Sequence, residues 1–290
     1  MSANKTGAGF MILAMGAFAL EDSFFKAATQ LTSVSSALIA FGLMGLVIFA
    51  SLSLRAGEAV WHPACLKRTM LIRSAFELMG RLFFGLALAH APLSSTSAIL
   101  QAAPIVVTLG AIFIFGEAVG WRRWIAMALG FLGVLVVIRP GFESFQITSL
   151  YALLATIGFA GRDLATRASP PAMSTAQLGS LGFAVLTVAG LLLSALEGTV
   201  PSLPTGQSLL LTAGAAIVGV LAYASLTRAM RAGDVGFVAP YRYTRLVFAL
   251  LIAFTVLGER PDPLTLLGAT IIVLAGLYSF SRARSAGSGQ

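Results

Sequence analysis

This sequence of 290 residues is poor in charge, in histidine and in cysteine. Charged residues make up 10% of it, whereas soluble domains carry about 25%, so the composition excludes a soluble globular protein. The two histidines, His62 and His90, and the single cysteine, Cys65, are too few for a metal site or an internal disulfide. We therefore predict no metal and no cofactor.

The motifs of catalysis and of ATP hydrolysis are also absent from the sequence. It has no H-E-x-x-H, no G-x-S-x-G and no P-loop, and neither histidine falls clearly inside a predicted helix. We therefore expect that the protein is not an enzyme and that this chain alone does not use ATP.

Long apolar segments are abundant, since 58% of the residues are hydrophobic and the mean hydropathy is +0.91. The hydrocarbon core of a bilayer is ~30 Å thick, and a helix needs ~20 apolar residues to cross it. Segments of this kind occur at 7–29, 33–53, 70–89, 93–115, 121–138, 147–168, 174–196, 207–229, 235–257 and 263–281. The sequence predicts an all-α membrane protein with ten transmembrane helices.

The basic residues are distributed unevenly between the two sides of this predicted bundle. Of 19 Lys and Arg residues, ten lie on one set of loops and helix ends, and only Arg139 and Arg260 lie on the other set. Because cytoplasmic loops carry an excess of Lys and Arg, we predict a multi-pass inner-membrane protein with both termini in the cytoplasm. The formal charge of +8 then reflects the orientation of the protein in the membrane, and no nucleic-acid partner is expected.

The sequence contains an internal repeat. The stretches AFALEDSFFKA (17–27) and GFAGRDLATRA (158–168) share the pattern [AG]-F-A-x-x-D-x-x-x-[KR]-A at an offset of 141 residues. Glu117 and Glu259 each follow a glycine at the end of an apolar helix, at an offset of 142. We predict two five-helix repeats, 1–146 and 147–290. An odd number of helices makes the repeats cross the membrane in opposite senses, which is typical of alternating-access transporters.

The "GE" after the fourth helix of each half, the glycine-rich helix that follows and Pro104 carry a family resemblance. The chain resembles the drug/metabolite transporter superfamily, and within it the EamA-type family with ten helices. It departs from the pattern in the second half, where Leu246 matches Pro104 and the proline is displaced to Pro240. The resemblance implies transport of a small metabolite, with amino acids, nucleotide-like metabolites, vitamins and organic ions as the substrate classes.

Charged residues fall inside the predicted helices. They are Glu21, Asp22, Lys26, Arg73, Glu77, Arg81, Arg162, Asp163, Arg167, Arg242 and Arg245. A charge at the bilayer centre costs ~2.5–3.5 kcal/mol, so eleven such charges facing lipid would cost about 30 kcal/mol. That exceeds a typical stability of ~5–15 kcal/mol, so these groups must face one another or a water-filled cavity. Seven are basic and four acidic, which favours an anionic or zwitterionic substrate.

A substrate site is predicted around the ninth helix. Arg242 and Arg245 have no acid in that helix to balance them, and a planar guanidinium suits a carboxylate. The predicted substrate-binding residues are Arg242, Arg245, Tyr241, Tyr243, Arg81, Glu77 and Glu21. An alternative is that both arginines pair with Glu21 or Glu77. Glu77 also stands four residues from both Arg73 and Arg81 and can be neutralised within its own helix.

Two acid–base pairs are predicted to act as gates. Asp22 with Lys26 and Asp163 with Arg167 stand four residues apart, and Arg162 is adjacent to the second pair. Because the halves are inverted, we hypothesise that each pair seals one face of the transporter. Simple pairing along one helix is the alternative. For Glu117 and Glu259 we predict a conformational or capping role.

The sequence therefore favours a secondary transporter, an exporter or exchanger, of a small polar metabolite such as an amino acid or an organic anion. The alternatives are a nucleoside-type or vitamin metabolite, or a non-transporting scaffold or lipid-handling membrane protein. Partners are the small-molecule substrate and the lipid bilayer. The sequence is compatible with a homodimer, and it is also compatible with proton coupling, exchange and uniport.

Overall fold

The computed structural model describes residues 3–116, 120–139, 146–167, 173–232 and 238–287, and regular structure in these ranges is entirely helical. The helices are α1 (Ala3–Thr29), α2 (Val34–Arg55), α3 (Arg68–His90), α4 (Leu93–Leu100), α5 (Ala103–Phe115), α6 (Trp121–Ile138), α7 (Ser149–Arg167), α8 (Thr175–Glu197), α9 (Gly206–Ala232), α10 (Thr244–Thr255) and α11 (Pro263–Gly287). Short 3-10 turns occupy Pro63–Leu66 and Ala239–Tyr243.

Five segments of the described chain are long and apolar enough to cross a membrane: Ala3–Thr29, Val34–Arg55, Leu93–Ile114, Thr175–Glu197 and Gly206–Met230. Shorter apolar helices run over Trp124–Ile138 and Pro263–Tyr278. The prediction of an all-α membrane protein is confirmed.

Two of the predicted helices are not continuous. The fourth is divided into α4 and α5 by a turn at Gln101 and Ala102, and the ninth contains a 3-10 turn before α10. Pro104 stands in the first turn of α5, and Pro240 stands in the first turn of the 3-10 segment. Because proline has no N–H to donate, each marks a place where the regular helix starts anew.

The helices pack in reciprocal pairs. The most extensive contacts join α1 to α9, α2 to α8, α3 to α7 and α6 to α11, and α4 lies against α10. Glycines permit the closest approaches, since a Cβ at Gly158 of α7 would lie 2.6 Å from the Cα of Gly80 of α3. Charge-bearing α3 and α7 are thereby brought backbone to backbone.

Polar and apolar residues are distributed as a bilayer requires. Large apolar side chains such as Val47, Leu210 and Ile217 are exposed on the outer surface of the bundle. Charged side chains on α1 and α3 are buried inside it. Since lipid cannot hydrate a charge, this arrangement places the polar groups where they can contact one another.

The start of α11 is set by Asp262. Its carboxylate accepts hydrogen bonds from the backbone N–H groups of Leu264 and Thr265 and from the Thr265 hydroxyl, and Arg139 pairs with it. Partial burial raises the pKa of this carboxyl, but the Thr265 and Arg139 contacts together outweigh this effect and hold the pKa below its ordinary value. Asp262 therefore caps α11 as a carboxylate.

Candidate functional site

Glu77 lies at the centre of a buried charge cluster. Its side chain is 0% exposed, and its Oε2 lies 2.8 Å from Nη1 of Arg73. Its Oε1 lies 3.8 Å from Nη1 of Arg162 on α7 and 3.9 Å from Nε of Arg81. The predicted pairing of Glu77 with Arg73 and Arg81 is therefore confirmed, and α7 adds a third guanidinium.

Asp163 connects this centre to the segment before α10. Nη2 of Arg162 lies 2.8 Å from its Oδ1, and Nη1 of Arg242 lies 3.5 Å from its Oδ2. The predicted partner Arg167 has its side chain outside the described part of the chain. Asp163 thus contacts one arginine on α7 and one on the Ala239–Tyr243 turn.

Asp22 is neutralised by Arg245 rather than by Lys26. Nη2 of Arg245 donates to its Oδ2 at 2.7 Å, and the same guanidinium lies over the rings of Phe18 and Phe84. The Lys26 ammonium donates to the carbonyl oxygens of Leu88 and Ala91, at 3.0 and 2.6 Å. The predicted Asp22–Lys26 pair is therefore wrong.

The reason lies at the end of α3. The last carbonyl groups of a helix have no partner within it, and Lys26, one turn nearer the end of α1, reaches two of them. The alternative that Arg242 and Arg245 pair with Glu21 or Glu77 is also wrong, because their carboxylate partners in the described chain are Asp163 and Asp22.

Glu21 is buried but weakly paired. Its Oε1 lies 3.6 Å from Nη1 of Arg81, which is longer than a hydrogen bond, and its Oε2 has no hydrogen-bond partner in the described chain. Arg81 lies between two carboxylates, with neither within hydrogen-bond distance. A small cavity, large enough for a water molecule, is bordered by Glu21, Asp22 and Arg81.

The cluster as a whole carries a surplus of positive charge. Its ion pairs join five arginines to four carboxylates: Arg73, Arg81, Arg162, Arg242 and Arg245 with Glu21, Asp22, Glu77 and Asp163. The tally within the described residues is therefore one net positive charge. Arg242 is the most exposed member, with 32% of its side chain accessible.

The two tyrosines of the predicted site lie beside helices of the bundle. Tyr243 is buried, and its hydroxyl lies so close to Gly276 of α11 that no Cβ could fit there. Tyr241 packs against an apolar cluster that includes Met11 and Met15 of α1. Tyr243 thereby packs against α11, and it also lies within electrostatic reach of Arg242.

Two contributors were missed by sequence reasoning. Thr166 accepts a hydrogen bond of 3.1 Å from Nε of Arg73, and Tyr223 of α9 lies within electrostatic reach of Arg73, Glu77 and Arg162. A lone hydroxyl in an apolar helix gives no pattern by which either residue could have been found. In the described residues, no group of three or more His, Cys, Asp or Glu side chains could hold a metal ion.

Glu259 caps a helix that is distant in sequence. The backbone N–H groups of Leu93 and Ser94 donate to its Oε1 and Oε2 at 2.7 and 3.1 Å, and the Ser94 hydroxyl donates at 3.0 Å. Nζ of Lys26 lies 3.8 Å from Oε1. The predicted capping role is confirmed, at the start of α4. We call Lys26, Glu259 and the first turn of α4 the Lys26 latch; Glu117 lies outside the described residues.

Comparison with known proteins identifies the family. The model of the EamA-like transporter family matches residues 146–281. The chain is 30% identical over 203 residues to the S-adenosylmethionine uptake transporter of Rickettsia prowazekii (strain Madrid E), which covers 68% of each chain. The chain belongs to the EamA-like transporter family. It is thus a multi-pass membrane transporter of a small metabolite and not an enzyme, and the predicted membership in the drug/metabolite transporter superfamily is confirmed.

Another EamA relative matches over nearly the whole chain. The riboflavin transporter of Vibrio cholerae serotype O1 (strain ATCC 39315 / El Tor Inaba N16961) is 28% identical over 281 residues, which are 93% of this chain and 91% of that protein. A crystal structure that covers 98% of both chains superposes with a TM-score of 0.63 at 19% identity. This last likeness concerns the EamA fold alone.

Proposed function

We propose that this EamA transporter carries a metabolite with a carboxylate group, either an amino acid or an organic anion. The observation that carries the proposal is the one net positive charge of the buried cluster. Its most accessible guanidinium, Arg242, is 32% exposed and lies 3.5 Å from its carboxylate partner. A guanidinium that is held loosely can exchange its partner for a carboxylate of the substrate.

The proposed substrate site comprises Arg242, Arg245, Arg81, Glu77, Glu21 and Tyr241, with Tyr243 positioning the segment. The four carboxylates of the cluster hold the arginines in place and leave room for one more negative charge. An amino acid brings both a carboxylate and an ammonium group. We expect its carboxylate at Arg242 and its ammonium group near a carboxylate of the cluster.

Alternating access is proposed between two halves, 1–146 and 147–290. The observed packing supports it: the first helix of each half lies on the third of the other, as α1 on α9 and α7 on α3. The second, fourth and fifth helices of one half lie on the equivalent helices of the other half, as α2 on α8, α4 on α10 and α6 on α11. Reciprocal pairing of this kind is what an approximate two-fold relation between the halves would produce.

The Lys26 latch is proposed as the gate of one face, in place of the Asp22–Lys26 pair. It joins the halves, because Lys26 and the start of α4 belong to the first and Glu259 to the second. The offset of the repeats makes Arg167 and Glu117 the counterparts at the other face. Two further ion pairs join the halves, Asp22 with Arg245 and Arg162 with Glu77. We expect these pairs to rearrange when the halves move, while the pair of Asp163 with Arg242 lies within the second half.

The orientation follows from the distribution of basic residues. We propose an inner-membrane location with both termini in the cytoplasm, so that the Lys26 latch faces outwards. The loops at 139–147 and 196–207 should then also face outwards. Cysteine accessibility in whole cells tests this, and a C-terminal residue that reacts only from outside would overturn it.

A second candidate substrate class is a nucleoside-type or vitamin metabolite, and the names of the two relatives favour it. S-adenosylmethionine combines both classes, because it carries an amino-acid carboxylate and a nucleoside. The predicted alternative of a non-transporting scaffold is set aside, because the chain belongs to a transporter family.

The experiment is a flux measurement with purified protein in proteoliposomes. The panel includes aromatic and aliphatic amino acids, dicarboxylates, S-adenosylmethionine and riboflavin, each radiolabelled, with protein-free vesicles as the control. We expect saturable uptake of a carboxylate-bearing member. Flux of riboflavin alone would refute the carboxylate proposal, and no flux of any member would refute both substrate classes.

A further inference from the structure

We propose that Glu21 is the proton-binding site of this transporter, and that a proton on Glu21 travels together with the substrate. The proposal deepens the proposed function and rests on it for the coupling to substrate, but not for the proton site itself. The ligand is a proton from water, which adds to the Oε2 of Glu21 and leaves again to water. No bond to carbon and no electron transfer is involved.

Glu21 differs from the other carboxylates of the cluster in its contacts. Asp22, Glu77 and Asp163 each have an arginine nitrogen at 2.7–2.8 Å. The nearest cation to Glu21 is Nη1 of Arg81 at 3.6 Å, and Oε2 of Glu21 has no hydrogen-bond partner in the described chain. The oxygens of Glu77 also lack an aligned hydrogen bond, but three guanidinium groups lie within 4 Å of Glu77 and one within 4 Å of Glu21. The residue is only 5% exposed. A buried carboxylate oxygen without a partner is costly while ionised, and protonation removes that cost.

The elements packed around Glu21 offer little further neutralisation. On α1 its neighbour is the carboxylate of Asp22, whose charge is taken by Arg245 of α10. On α3 the facing group is Arg81, which Glu77 shares at 3.9 Å. From α9 the facing residue is Gly219, at which a Cβ would lie 3.1 Å from the Glu21 carboxyl carbon. Two carboxylates therefore share one guanidinium, and Glu21 holds it without a hydrogen bond.

A cavity lies beside the carboxyl group of Glu21. The small cavity that Glu21 borders has room for a water molecule, and aromatic rings of Phe25 and Phe84 line its other walls. Because the walls are apolar apart from Glu21, Asp22 and Arg81, a water there would contact these charged groups. A water in this cavity would stand beside the carboxyl group of Glu21, where it can deliver or receive the proton.

Protonation of Glu21 would release Arg81. The freed guanidinium then has only Glu77 at 3.9 Å, which already has Arg73 at 2.8 Å and Arg162 at 3.8 Å. Arg81 would become available for a carboxylate of the substrate. Conversely, a substrate that takes Arg81 deprives Glu21 of its cation and favours its protonation. Proton and substrate therefore bind together, whichever gradient sets the direction.

The first test needs no substrate. Infrared spectra of the purified protein in lipid nanodiscs are recorded as a function of pH, and the stretching band of a protonated buried carboxyl is followed. We expect a titrating band in the wild type that is lost in Glu21→Gln and kept in Glu197→Gln, whose carboxylate is exposed at the end of α8. An unchanged band in Glu21→Gln would overturn the proposal.

The conservative variant keeps the test decisive if Glu21→Gln does not fold. Glu21→Asp retains a carboxyl group but moves it relative to Arg81, so its band should shift in frequency and in the pH of its midpoint. A band identical to that of the wild type in Glu21→Asp would overturn the assignment. This experiment is independent of whether any transported substrate has been found.

The second test examines coupling. Proteoliposomes loaded with a pH-sensitive dye receive a substrate that the flux panel has identified, and the internal pH is followed. The wild type should acidify the lumen during uptake, and so should Glu197→Gln, which changes an exposed carboxylate at the end of α8. In Glu21→Gln the number of protons that enter per substrate molecule should fall to zero. Proton movement of wild-type size in Glu21→Gln would refute coupling through this residue. Failure of the whole flux panel would instead count against the proposed function.

Discussion

Replacement of Glu259 by glutamine tests the Lys26 latch most directly. The substitution keeps the size of the side chain and one carbonyl oxygen for the start of α4. It removes the negative charge of the carboxylate. In the wild type this carboxylate lies 3.8 Å from Nζ of Lys26 and accepts hydrogen bonds from the N–H groups of Leu93 and Ser94 at 2.7 and 3.1 Å. We expect the face closed by the latch to open more often.

The magnitude follows from the bonds that are weakened. A hydrogen bond to a charged group is worth ~1.5–3 kcal/mol and a neutral one ~0.5–1.5. The backbone bond that the glutamine oxygen keeps therefore loses about 1 kcal/mol, and the other, which would face the amide NH2 group, is lost with its ~1.5–3 kcal/mol. The lost attraction to the helix N-terminus adds ~0.3–1 kcal/mol. A total of about 3–5 kcal/mol corresponds to a change of ~140- to ~3,700-fold in the ratio of open to closed states.

The assay is the rate at which a water-soluble maleimide labels a cysteine placed at Ala91, in a background in which Cys65 is replaced by serine. Ala91 is buried, and its carbonyl oxygen is bound by Lys26. Labelling should accelerate in proportion to the open population, by roughly the factor above. Glu197→Gln, a change of the same kind at an exposed position, serves as the control. Unchanged labelling in Glu259→Gln would refute the latch.

Three further predictions follow from the same structure. Arg242→Gln should weaken binding of a carboxylate-bearing substrate by ~10- to 100-fold in a titration, because a desolvated charge-assisted hydrogen bond is worth ~1.5–3 kcal/mol. Arg55→Gln, at the exposed end of α2, should leave binding unchanged; equal affinities of the two variants would make Arg242 structural. Gly158→Ala should lower the melting temperature, because the new Cβ would lie 2.6 Å from the Cα of Gly80 in α3. Gly9→Ala is the control, since a Cβ there meets no atom within 4 Å. Similar melting temperatures of the two variants would contradict the close packing of α3 and α7. The pKa of Asp262 is lowered in the folded protein, so its stabilising effect is present above the ordinary pKa of an aspartate and is lost as the pH falls through the lowered pKa. Asp262→Asn should therefore flatten the acid dependence of the melting temperature, and an unchanged acid limb would contradict the cap.

The fold could be predicted from sequence because a bilayer makes local demands. Each crossing segment must be apolar and long enough by itself, so a run such as 33–53 identifies a helix without knowledge of its neighbours. The bounds of α6 agree with prediction, and those of α2 and α3 agree within two residues. The breaks before α5 and α10 were missed, because the prolines there interrupt hydrogen bonding without lowering the hydropathy of the segment.

What the sequence by itself determined is that charges must lie inside this bundle, and that Glu77 has bases on its own helix face at fixed spacing. What only the tertiary structure decided is which charges meet across helices. Lys26 stands one turn from Asp22 in sequence, yet it contacts Glu259 and the end of α3, and Asp22 receives Arg245 from α10. The physical reason is that spacing along a helix makes a pair possible but does not select it. Selection depends on which donors and acceptors the packing of other helices brings within reach, and on the need of every buried charge for its own partner.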